Sequence, residues 1–220
     1  MYIHIMYIFA LITNLIYRKM IRKMTTALIA ITAIGTFAFT TINTKPADYS
    51  VNAKMSTCTW LAKKVTGEHT GGIKISKGSI ISDGKTITGG SFEFDMRSIT
   101  NTDLTDSTYN AKLIKHLKSD DFFSTEKNPT AKFELKKVEL KSGSEYSVTG
   151  NLTIKGITNE ISFPAVINIK EKTIVTVAKI TVNRTKFDIK YGSASFFEGL
   201  ADKAISDEFE LNINVVATRK

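Results

Sequence analysis

The sequence predicts an all-β fold of about eight antiparallel strands with one or two short helical inserts. Apolar and polar residues alternate through most of residues 48–215, and turn residues interrupt the pattern at short intervals. One stretch departs from it: KHLKSDDFF at 115–123 carries an amphipathic turn of helix. So many half-buried strands require a closed barrel or a sandwich, and a barrel of lipocalin size encloses about one small ligand. Alternation by itself fits both.

The strands read in order. Segments 48–54, 57–66 and 69–76 open the series, and TITGGSFEFDM at 86–96 puts Phe92, Phe94 and Met96 on one face with Glu93 and Asp95 on the other. Segment 131–140 follows. In YSVTGNLTIK (146–155), Tyr146, Val148, Leu152 and Ile154 face one way and the polar residues the other, with a turn at Gly156. Ile161, Phe163, Ala165, Ile167 and Ile169 continue the device, then Ala178, Ile180 and Val182, and finally Phe209, Leu211, Ile213 and Val215. Pro46, Pro129 and Pro164 fall before strands or at an expected edge or bulge.

Residues 107–118 place Tyr109, Leu113 and Leu117 at helical spacing, which predicts a short packed helix. Ser119 is positioned to cap a turn beginning at Asp120 and Asp121, after which Phe122 and Phe123 return to the core. A second helical insert is expected in SASFFEGL, 193–200.

Residues 1–42 read differently. They contain no acidic residue and hold two apolar stretches separated by Arg18, Lys19, Arg22 and Lys23. From Met20 the order is a basic region, an apolar run (27–39) and small or polar residues, the pattern of a secretory signal peptide with cleavage near Ala38. Residues 1–19 then read as an upstream extension. A transmembrane hairpin is the alternative, although each stretch sits at or below the roughly 17 residues that a spanning helix needs. The expectation is one domain over 43–220 in an exported protein, periplasmic or secreted.

Without the four basic residues of 1–42 the formal charge falls from +9 to +5. The remaining Lys and Arg are dispersed, which points away from nucleic acid. Cys58 is the single cysteine, so no internal disulfide forms; it shares a strand face with Trp60 and reads as a small buried residue. Residues 43–220 hold two histidines, His69 and His116, with no HExxH spacing, and Ser193 lies in GSASF rather than G-x-S-x-G. No catalytic residue, metal ligand or cofactor is assigned, and the chain reads as a non-enzyme. An outer-membrane barrel is disfavoured by the charged residues on the faces that would meet lipid.

Six pieces, TWLAKKVTGEHTGGI (59–73), FEFDMRSITNTDL (92–104), KLIKHLKSDDFF (112–123), NPTAKFEL (128–135), SVTGNLTIKGITNEISFPA (147–165) and NRTKFDIKYGSASFF (183–197), give the chain a resemblance to the YceI-like family. That family comprises exported, lipocalin-like, polyisoprenoid-binding proteins. The resemblance implies a lipocalin-like antiparallel β-barrel that holds a long apolar chain, an isoprenoid quinone, polyprenyl or related lipid, for transport, storage or sensing. A stress-response or structural β domain with a filled core and no ligand is the alternative.

A prenyl tail needs an apolar tunnel, and each five-carbon unit transferred contributes up to about 4 kcal/mol before ordering costs. The lining candidates are Trp60, Phe92, Phe94, Phe133, Leu135, Leu152, Ile154, Phe163, Ile180, Phe196 and Phe197. Taken alone, each reads first as ordinary core; as a face, they support a cavity. For the polar end, His69 in GEHTGG could donate to a quinone carbonyl or be satisfied by backbone or water. Arg184 and Lys186 could face an anionic head group, or form a solvated edge paired with Asp188. Transient contact with a membrane surface and a homodimer stay open as further partners.

Overall fold

In the computed structural model the described residues are Arg18 and 45–220, so the expected signal peptide lies almost wholly outside them. Thr44–Lys220 forms one compact unit. Its ten strands are β1 (Ala47–Val51), β2 (Thr57–Lys64), β3 (Gly67–Gly72), β4 (Lys74–Ser82), β5 (Ile87–Asp95), β6 (Thr130–Ser142), β7 (Glu145–Ile154), β8 (Ile157–Ile169), β9 (Thr173–Asn183) and β10 (Ile205–Arg219). All pair antiparallel.

Eight of these strands close the ring, in the order β1-β4-β5-β6-β7-β8-β9-β10, with β10 returning to β1. Closure works because β10 is long enough to serve two neighbours on one edge: residues 217–219 pair with β1, and residues 205–214 pair with β2. Along its other edge it pairs with β9 from Glu208 to Thr218. The β2–β3 hairpin therefore extends the wall at one end.

Beyond β3 the wall continues through the chain that follows β5. Thr100 N–H donates to Gly72 O at 3.0 Å and Thr102 N–H to Thr70 O at 2.9 Å. Only glycine fits this crossing, since a Cβ on Gly71 would lie 1.8 Å from Thr100 O. Trp60, paired with Gly71, donates its Nε1–H to the same carbonyl at 3.1 Å. The GGI segment thus seats the tryptophan at the end of the barrel.

That end is closed by α1 (Ser107–Lys118). Asp106 caps it, accepting from Thr108 N at 2.8 Å and Tyr109 N at 3.0 Å, and Lys115, His116 and Lys118 in its last turn suit the negative end of the dipole. Leu113, Ile114 and Leu117 are half-buried, but Tyr109, expected on the packed face, is 65 % exposed. Ser119 ends the helix and donates its hydroxyl to His116 O at 2.8 Å instead of capping the next turn. Phe122 and Phe123 turn inward behind it.

The expected second helix at 193–200 is not formed. That segment is turns, with a single 3-10 turn following at Ala201–Lys203. Gly192 and Gly199, at φ of +64° and +69°, take up left-handed backbone that a helix cannot contain. The expected strand 69–76 is also two strands, β3 and β4, and β4 runs on to Ser82. Pro164 lies inside an interior strand, but the ladder to β9 starts only at the next residue, Ala165.

Candidate functional site

The inner faces of the barrel enclose an apolar cavity of about 90 Å³. Of its lining side chains only Thr176 carries a polar atom. Seven of the residues that the sequence singles out lie there: Phe92, Phe94, Phe133, Leu135, Leu152, Phe163 and Ile180. Alternation puts them there physically, because Phe92 pairs with Phe133 and Phe133 with Leu152, so successive strands present one inward residue at the same level. The aromatic rings stack as a tilted series, Phe92–Phe133 at 6.4 Å and Phe133–Phe163 at 5.6 Å between centroids. Gly150 makes room for the middle ring; a Cβ there would lie 2.4 Å from Phe133 Cζ.

A second apolar cavity of about 60 Å³ lies toward α1. Trp60, Ala62, Ile99, Leu117, Phe122, Phe123 and Phe209 are among its walls, with Arg184 and Ser206 as its polar edge. The two cavities follow one another along β10, where inward-facing Phe209 lines the second, and Leu211, Ile213 and Val215 line the first.

Ile154 is buried in the core but lines neither cavity. Phe196 and Phe197 are each 50 % exposed and lie in the turn segment outside both, so their assignment to the lining is corrected. The turns leave Phe196 under Lys190, whose Nζ is 5.1 Å from the ring centroid.

Two of the three polar candidates, His69 and Arg184, are held by the protein itself, while Lys186 is exposed. His69 lines neither cavity, and its Nδ1 lies 2.7 Å from Asp103 Oδ2. Burial would raise the Asp103 pKa, but the Thr70 N–H, His69 and Asn101 together hold it below the ordinary aspartate value. Arg184 is buried and spends its donors on backbone: Nε on Ser206 O (2.8 Å), Nη1 on Ile189 O (2.8 Å) and Tyr191 O (2.9 Å), and Nη2 on Ile205 O (3.0 Å). Burial lowers the guanidinium pKa, and Asp207, 3.6 Å from Nη2, works against that. Arg184 therefore pins the 184–191 turn to β10 and is not a free anion receptor. Lys186 carries the carbonyl that accepts from Asn159 Nδ2 at 2.9 Å. Cys58 is buried, and its thiol pKa is pushed up to about 12 by that burial.

Period-two reading missed Ile80, Ile87 and Val138 in the first cavity. Each lies in a strand that carries an extra residue. Ser76, Thr88 and Lys136 have no cross-strand partner, and each shifts the inward phase by one. Ile99 and Ile189 lie in non-strand segments, where alternation gives no signal.

The YceI-like domain model matches residues 49–217, nearly the whole barrel. The chain belongs to the YceI family. Among curated relatives, a UPF0312 protein of Pseudomonas aeruginosa is 38% identical over 84 residues, which is 34% of this chain and 43% of the relative. A UPF0312 protein of Staphylococcus aureus is 37% identical over 95 residues, 40% of this chain and 53% of the relative. The matched stretches thus span about half of those relatives or less. Burkholderia cenocepacia BcnA has a similar fold, with a TM-score of 0.62 at 23% identity, covering 76% of this chain and 99% of BcnA. So does a polyisoprenoid binding domain from Saccharophagus degradans implicated in plant cell wall breakdown, with a TM-score of 0.59 at 15% identity, covering 78% of this chain and 98% of that domain. At these identities the likeness concerns the YceI barrel itself.

Proposed function

We propose that this YceI-family barrel is a non-enzymatic binding protein for a long apolar lipid, a polyprenyl chain, isoprenoid quinone or related molecule. The observation that carries this reading is the first cavity: a void inside a closed sheet whose walls offer an apolar chain continuous contact and only one hydroxyl. Empty apolar space costs stability, so a fold that retains it has a use for it. The family membership and the fold it shares with a polyisoprenoid binding domain support the same reading. With Arg184 and His69 held by internal partners, recognition rests on the tail more than on a charged head.

Export to the periplasm or beyond belongs to the same proposal and rests on the basic–apolar–small order of residues 20–42. Organic extraction of natively purified protein followed by mass spectrometry tests the binding. One apolar molecule per chain is expected. A clean extract from folded protein favours a structural β domain instead.

A further inference from the structure

The ring of strands is not hydrogen-bonded along its full height. Between β5 and β6 the ladder runs from Asp95–Thr130 to Ser91–Glu134 and stops. Beyond that pair, residues 87–90 of β5 pair only with β4, and residues 135–142 of β6 only with β7, among the described residues. Each strand carries a bulge just past the last shared pair: Thr88 on β5 and Lys136 on β6 have no cross-strand partner. Bulges bend and twist the strand that holds them, so two on facing strands draw the edges apart.

The split lies over the first cavity, with Leu135 Cδ2 3.8 Å from where a Cβ on Gly90 would sit. Ile87 and Gly90 on one edge and Leu135 and Val138 on the other all line that cavity. Leu140 continues the inward face of β6 two residues beyond Val138, yet it is 60 % exposed. Leu140 lies two residues from the end of β6, where the split meets the rim of the barrel. It forms an apolar sill at the mouth of the split.

A second interruption exists between β8 and β9, whose ladder covers only Ala165–Ala178 to Ile169–Ile174. That one is shut. Ile180 and Val182 are buried on its β9 side, and Asn159 Nδ2 donates to Lys186 O across it at 2.9 Å. The far end of the barrel is capped by α1 and by the Arg184 network.

We propose that the β5–β6 split is a lateral portal, through which an apolar lipid chain passes sideways into the first cavity over Ile87, Val138 and Leu140. This rests on the lipid-binding function above and adds the route. The chain slides between two strand edges already free of shared hydrogen bonds, so no ladder has to break.

The test uses delipidated full-length protein and diphenylhexatriene, a rod-shaped apolar fluorophore, with uptake and release followed by stopped flow. Leu140 lies outside the cavity lining and is largely exposed, so Leu140→Glu folds. It is expected to slow uptake and release by the same factor, roughly tenfold, with equilibrium affinity unchanged. Val65→Glu, at the exposed β2–β3 turn beside the α1-capped end, is expected to leave both rates alone. Unchanged rates in Leu140→Glu, a change of affinity without matched rate changes, or slowing in Val65→Glu would each overturn the portal. If the unaltered protein takes up no fluorophore, the binding function fails first and the portal falls with it.

Discussion

Filling the first cavity from its own wall separates a binding site from a packing flaw. Ala178 is buried on β9 and lines the void, so Ala178→Leu pushes three further carbons into it. At about 24 cal/mol per Å³ of cavity, the 90 Å³ void costs the empty barrel about 2 kcal/mol. Three buried carbons return at most about 2.4 kcal/mol by transfer, less whatever strain the new side chain meets. The empty variant is therefore expected to be as stable as the unaltered protein or up to about 2 kcal/mol more stable. The same leucine occupies space that a lipid tail needs, and each displaced five-carbon unit forfeits up to about 4 kcal/mol of transfer energy. Lipid recovered per chain should fall sharply while urea unfolding of the delipidated form shifts to higher denaturant. Full lipid stoichiometry in the variant would refute the placement of the tail. A loss of more than about 3 kcal/mol, the upper range for overpacking, would refute the open space.

Other consequences follow from groups the barrel has committed elsewhere. Arg184→Met leaves four carbonyls and Asp207 without their buried cation, and a loss of about 3–5 kcal/mol is expected in denaturant unfolding; a near-neutral result would contradict the pinning role. Asp103, with its pKa below the ordinary value in the folded state, contributes stability that is complete above the unfolded pKa and is lost as pH falls through the folded one. Thermal melts from about pH 5 downward should therefore drop more steeply in the unaltered protein than in Asp103→Asn, and parallel curves would count against the Asp103 tie. Buried and with its thiol pKa pushed up to about 12, Cys58 should resist maleimide at neutral pH until the protein is unfolded, and rapid labelling of the native form would contradict its burial.

Much of the fold is legible in the sequence where one physical signal acts alone. Strict alternation in EYSVTGNLTI and ISFPAVINI fixes which residues face inward, because a half-buried strand permits no other phase. The helix at 107–118 follows from its spacing, though Tyr109 shows that spacing cannot tell which end of the stripe the barrel covers. The losses have causes. Bulges at Ser76, Thr88 and Lys136 reset the alternation, hiding Ile80, Ile87 and Val138, and those at Thr88 and Lys136 flank the split that a uniform strand pattern cannot reveal. Phe196 and Phe197 carry the right chemistry for a lining, but the left-handed glycines around them hold the segment as turns outside the wall. Arg184 illustrates a different blindness: its composition suggests a receptor, and only the four carbonyls around it show that its donors are taken.

The most direct measurement is a high-resolution crystal structure of protein purified natively, without delipidation. A lipid-binding barrel should show continuous, elongated electron density running past Phe163 and Phe94 inside the first cavity. Side chains closed tightly over that space, with no density between them, would contradict it.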